Sequence, residues 1–271
     1  MLSNDARVEP VPTVRRSRVH MRVEPIHGLM SIQHRTKMQY FPCYVMDVDV
    51  FFDVYEDPSS TFKSWGSLLR ENKIRKVRVT QESVGEHNGR STKTDSKRNV
   101  LFISHEWTAK HHPDPSGKQL RVLYDTLKKL STGSYEYPTC SGAVTVWKRL
   151  KIRKKTMAQW KEYLRSASLW IDYQSVPQMS DVKPDAEEKI RQKHATAVDA
   201  AIKSIPSYIS AADMFVALTP RVKVAHRTTC ASYSTWRSRG WCTFEMVRII
   251  VLQLSFEFSE FSHFVQLSLQ S

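Results

Sequence analysis

Neither a Walker A run nor a GxGxxG motif occurs in the 271 residues, which excludes the two common glycine-built phosphate loops. Cysteine is scarce, with only Cys43, Cys140, Cys230 and Cys242 and no CxxC pair among them. So few in so long a chain form no disulfide framework, and the spacing gives a zinc site no support. They suit a reducing compartment. No apolar run is long enough to span a bilayer: the most apolar late stretch, Ile249–Phe256, is short and is followed by Glu257 and Glu260. The N-terminus lacks the apolar centre of a signal peptide, and Asp5, Glu9 and Glu24 among its arginines make a poor mitochondrial presequence. These absences lead us to expect a cytoplasmic protein without a membrane span. Acidic residues are also in deficit, 27 against 41 Lys and Arg, for a formal charge of +14. Such an excess invites nucleic acid, anionic lipid or an anionic small molecule. A solvated basic face explains it equally well.

What is present centres on Val100–Trp107, reading Val-Leu-Phe-Ile-Ser-His-Glu-Trp. Four apolar residues rich in β-formers suit a strand buried on both faces, with a polar cluster at its C-terminal end. In open α/β sheets ligands bind at that end. Two further short apolar runs follow, Ser168–Tyr173 and Asp213–Leu218. Helical patterns separate them. Leu120, Leu123, Tyr124, Leu127 and Leu130 mark one helix face, with Gly133 as its stop. Trp147–Arg165 reads as a second helix, and Asp185 is placed to cap a third that runs to about Ser204. A last helix opens at Gly240. Buried-type strands alternating with amphipathic helices predict an α/β fold, a parallel sheet covered on both faces. Upstream, 1–40 reads as a disordered basic arm and 41–80 as a small β-rich extension. Within that extension we expect a strand over Tyr44–Phe52, a short helix over Thr61–Asn72 and a strand over Ile74–Thr80. Residues 81–98 read as a linker, leaving 99–271 as the main domain.

Several constellations invite chemistry. Ser104, His105 and Asp172 suggest a hydrolytic triad, but no GxSxG elbow accompanies them. His105, His111, His112 and Asp114 match no metal-ligand spacing, so no metal is expected. The run Lys148, Arg149, Lys151, Arg153, Lys154 and Lys155 is best read as a solvated helix face, with a nucleic-acid contact as the weaker alternative. Glu245 lies one helical turn after Trp241 and three residues before Arg248. On spacing alone it reads as half of an exposed ion pair.

The motifs, in order, change that balance. Val100–Trp107, Gly117-Lys118-Gln119-Leu120, Leu169-Trp170-Ile171-Asp172, Ala201–Pro220 and Arg239-Gly240-Trp241-Cys242-Thr243-Phe244-Glu245-Met246 resemble the successive blocks of a Toll/interleukin-1 receptor (TIR) domain. The set Ser-His-x-Trp, Pro-Asp-Pro-x-Gly-x-Gln-Leu, Trp-x-Asp-Tyr-x-x-x-Pro-Gln and Arg-Gly-Trp-Cys-x-x-Glu is similar to a TIR-like group of microbial eukaryotes, and the resemblance to the TIR domain covers about residues 99–255. The resemblance implies a flavodoxin-like sheet and a signalling role through self-association or pairing with other TIR-like domains, by way of the 174–184 loop and helix surfaces. It also implies cleavage of NAD between nicotinamide and ribose, with NAD as substrate rather than a bound cofactor. Glu245 is then the catalytic residue, and Ser104, His105, Trp107, Asp172 and Trp241 are the binding residues. A non-catalytic interaction module is the alternative that the same resemblance allows. Where the family commonly has Arg after the Ser-His pair, this chain has Glu106, which argues against anion binding at that corner. With Ser271 so soon after the Glu245 helix, the sheet is expected either to be incomplete or to take strands from 257–271 or from 41–80.

Overall fold

The computed structural model describes residues 41–77, 99–134, 156–225, 227–255 and 263–267, with side chains up to Val247. The arm over 1–40, the linker over 81–98, the basic run 148–155 and Cys140 lie outside the described residues.

The described chain opens with strand β1 (Cys43–Asp47), helices α1 (Val48–Val54) and α2 (Trp65–Arg70), and strand β2 (Arg75–Val77). The single strand expected over 44–52 is a correction: it ends at Asp47 and the remainder is helix. Val48, Phe51 and Tyr55 recur at helical spacing and all three are buried, so the helical period outweighs the local alternation. The helix expected over 61–72 is narrower, beginning after Ser64, whose hydroxyl accepts from the Ser67 N–H.

Strand β3 (Asn99–His105), helix α3 (Lys118–Thr132), helix α4 (Met157–Arg165) and strand β4 (Ala167–Ile171) follow. Gly133 ends α3 in the left-handed conformation, as its sequence position suggests. Thr156 and Gln159 start α4 with a reciprocal capping box. The one-turn helix α5 (Asp172–Ser175) leads to helix α6 (Glu188–Ala211) and strand β5 (Met214–Leu218). Glu187, not Asp185, is the N-cap of α6, and the helix runs past Ser204 to Ala211 with Pro206 inside it. Ile205, Tyr208 and Ile209 extend its buried face, which explains the extra turns. A short hairpin, β6 (Val222–Lys223) and β7 (Cys230–Ala231), precedes helices α7 (Tyr233–Ser238) and α8 (Gly240–Ser255) and strand β8 (His263–Leu267).

The main sheet has six strands in the order β2-β1-β4-β3-β5-β8. Strands β4, β3, β5 and β8 are parallel, while β1 joins β4 and β2 joins β1 antiparallel. The fold class is α/β, and the parallel part has the flavodoxin-like order. Both expected sources of extra strands contribute, 41–80 at one edge and 257–271 at the other. The segment 41–77 is thus part of the main sheet.

Alternation along the strands builds two cores. Tyr44, Met46, Leu101, Ile103, Leu169, Ile171, Met214 and Val216 face one side, with Phe51, Leu120, Leu123 and Leu164 of the helices. Val45, Phe102, Trp170, Phe215 and Ala217 face the other, with Ala201, Ile205, Ile209 and Trp236. In register across β4, β3 and β5, the Phe102 ring stacks on Trp170 at 4.3 Å and on Phe215 at 5.6 Å. Among the described residues, no helix is long and apolar enough to cross a membrane.

Candidate functional site

The strand order reverses at β3, with β4 on one side and β5 on the other, so its C-terminal end lies at the switch point where α/β sheets bind ligands. Because side chains alternate, Ser104 and His105 leave β3 on opposite faces. This separates two hydrogen-bond systems and disposes of the hydrolytic triad, since Ser104 and His105 serve different partners.

On the α7 and α8 face, the Trp236 indole N–H donates to Ser104 Oγ at 3.0 Å, and the Ser104 hydroxyl donates to Glu245 Oε2 at 2.5 Å. The chain of donors runs one way, indole to hydroxyl to carboxyl, and leaves Ser104 fully satisfied. Trp236 is held by a capping box between Ser232 and Thr235 that starts α7. Glu245 is only 4% exposed. The exposed ion pair suggested by its spacing to Arg248 is therefore corrected, because Glu245 turns inward to β3. Burial pushes its carboxyl up to about 8, helped by the nearby Asp172 charge and opposed by Ser104, His105 and Trp241. An acid of this kind is mostly neutral near pH 7 and ionises when positive charge develops beside it.

On the opposite face, the buried His105 places Nε2 2.9 Å from Asp172 Oδ1 and Nδ1 3.3 Å from Gln119 Oε1. The Gln119 amide donates its N–H to the Glu106 carbonyl at 2.8 Å, which turns its oxygen toward the imidazole. Both ring nitrogens thus face acceptors, the arrangement an imidazolium requires. Burial works against that charge, but Asp172 and Gln119 outweigh it and hold His105 above its usual range. Asp172 is held below the usual carboxylate range: burial opposes this, while His105, the Trp107 indole N–H at 2.8 Å and the Tyr173 N–H at 2.6 Å prevail. Trp107 meets Tyr173 edge to face at 5.6 Å. Trp241, at 44% exposed, is the open member of the expected set, and it stacks with Phe244 at 5.7 Å.

No family model, curated protein or solved structure matches this chain.

The expected site residues thus fall into two neighbouring groups. Ser104, Glu245 and Trp241 share one side of the β3 tip, and His105, Trp107 and Asp172 share the other. The two groups are close enough for Asp172 and His105 to act on the Glu245 charge. His112 and Asp114 are committed to the loop before α3: His112 Nε2 bonds the Phe62 carbonyl, and Asp114 Oδ2 accepts from the Leu120 N–H. Among the described residues, no group of three or more His, Cys, Asp or Glu side chains is arranged to hold a metal ion.

Sequence reasoning missed Trp236, Gln119 and the surroundings of Glu106. The Glu106 side chain is 3% exposed and accepts from Thr235 Oγ1 at 2.6 Å. The guanidinium nitrogens of Arg227 and Arg239 each lie 3.5 Å from its Oε1. Glu106 therefore presents no negative face to the cleft. The only sequence signal was the glutamate itself, a charged residue directly after a buried strand.

Proposed function

We propose that the chain is a TIR-like signalling domain that cleaves NAD at the bond between nicotinamide and ribose, using Glu245. The observation that supports this most is the buried Glu245 carboxyl, hydrogen-bonded by Ser104 at the switch point of the sheet. As the glycosidic bond breaks, its electron pair leaves with nicotinamide and the ribose acquires oxocarbenium character. The developing positive charge favours the ionised form of Glu245, which gives its proton to solvent water and, as the carboxylate, stabilises the transition state. Water then adds to the ribose carbon and releases a proton, giving nicotinamide and ADP-ribose. Nicotinamide is already a good leaving group, so no strong general acid is needed. The His105–Asp172 pair acts as scaffold, since every oxygen of Asp172 is engaged.

Purified protein at high concentration is incubated with NAD, and free nicotinamide is measured by chromatography, with Glu245→Ala alongside. Release by the wild type and loss in the variant is the expected result. Absence of nicotinamide from both, even when the protein is clustered, removes the enzymatic reading.

A second reading, a non-catalytic module that self-associates, draws on another observation. Trp241, Phe244 and Val247 are all exposed at helical spacing along α8. An apolar ridge of this kind is common at protein contacts. Light scattering of wild type beside Phe244→Asp tests it, the expected result being loss of assembly in the variant.

A further inference from the structure

We propose that Arg227 and Arg239 form an anion subsite that grips the pyrophosphate of the substrate. This deepens the reading above, on which the identity of the substrate rests.

Glu106 brings two guanidiniums to one carboxylate oxygen, each at 3.5 Å. One carboxylate against two guanidiniums leaves a local excess of positive charge. Glu106 is also satisfied by Thr235 at 2.6 Å, so a purely structural role needs one arginine at most. The exposure is lopsided. The glutamate side chain is 3% accessible, whereas those of Arg227 and Arg239 are 45% and 36% accessible. The negative charge is therefore sealed inside and the positive charge is displayed outside. Each guanidinium has five N–H donors and spends few of them on Glu106, so most stay free to bind an oxyanion.

Both arginines line the same pocket of about 370 Å³, together with Ser238, Gly240 and Trp241. Trp241, in the lining of that pocket, lies one helical turn before Glu245 on α8. A Cβ built on Gly240 would meet nothing within 4 Å, so packing does not require glycine here and the backbone lies open to the pocket. The first turn of α8, a helix of 16 residues, adds N–H groups that have no partner inside the helix. Charge, donors and space thus converge on an oxyanion with two or more negative charges. Glu106, which at the sequence level argues against anions at this corner, is the counter-charge that gathers the arginines.

The test is calorimetric titration of the full chain with inorganic pyrophosphate. Wild type is compared with the Arg227→Gln/Arg239→Gln double variant. A control, Arg191→Gln/Lys203→Gln, removes the same charge from the exposed face of α6. The double variant is expected to bind at least about tenfold more weakly and the control within about twofold of wild type. Three results overturn the proposal: no binding by wild type, equal binding by the double variant, or an equal loss in the control. All the substituted side chains are solvent-accessible, and circular dichroism melts verify folding. The nicotinamide assay supplies the second arm. With NAD, the double variant is expected to raise KM about tenfold while kcat stays within about threefold. If pyrophosphate binds but no protein releases nicotinamide, the subsite stands and the cleavage reading fails. If nicotinamide is released but pyrophosphate does not bind, the reverse holds.

Discussion

At Glu245 two opposing influences meet in one side chain: burial favours the neutral acid, and the Ser104 hydroxyl favours the anion. Burial prevails and sets ionisation at about 8. If the anion is the active form, kcat/KM for nicotinamide release rises about tenfold per pH unit below that value and levels off above it. A rate profile from pH ~6 to ~9 checks this; a profile falling with pH would assign the work to the neutral acid. The same shift has a thermodynamic sign. Between its ordinary value of 4.5 and about 8, native Glu245 holds a proton that the unfolded chain lacks. Stability therefore falls as pH rises through that window, by up to about 5 kcal/mol. Glu245→Gln keeps an acceptor for Ser104 and carries no charge. It is expected to flatten the pH dependence of the melting temperature and to melt above wild type near pH 9. Such a gain in stability with loss of activity would mark a carboxyl kept for chemistry rather than for folding.

Among the elements, β3 bears most of the design. Its residue Phe102 joins three strands through ring stacking, so Phe102→Ala removes contacts with Trp170 and Phe215 together. A loss of about 3–5 kcal/mol is expected, measured by urea denaturation. The sequence made β3, β4 and β5 legible because each is a short apolar run, and made α3 legible through its leucine spacing. It misled at 44–52, where Val48, Val50 and Phe52 continue an apparent alternation while Val48 and Phe51 are the residues that bury. Local pattern cannot tell which neighbours an element will meet. Of the residues gathered at the β3 tip, Ser104, His105 and Asp172 were legible as a polar cluster at strand ends and Glu245 only through its motif, its spacing having pointed to an exposed ion pair, while Trp236, Arg227 and Arg239 were illegible. The first group lies in or beside recognisable strand ends and motifs. The second is brought in by tertiary packing from a stretch without a periodic signal.

For the whole molecule, the segment 43–77 matters most. β1 covers the edge that β4 would otherwise expose, and Arg75 links Asp47 to Ser168 across that seam at 2.9 and 2.8 Å. Phe51, Tyr55, Phe62 and Leu68 all belong to the larger core. A chain beginning at residue 99 therefore loses part of its core as well as an edge. We expect it to aggregate and to lose its cooperative melt, checked by size-exclusion chromatography and calorimetry. A soluble, cooperatively melting 99–271 fragment would show that the parallel sheet stands alone.

That seam also bears on synthesis at the ribosome. Asp47 meets Ser168 across 121 residues of chain. At roughly 5–20 residues per second, β1 waits on the order of 10 s before β4 emerges to receive it. During that interval Val45, Phe51 and Tyr55 have no sheet to bury against. Pairing at such sequence distance also slows folding in free solution. The segment that completes that edge is thus translated well before the strand it docks on, and its apolar side chains wait for β4.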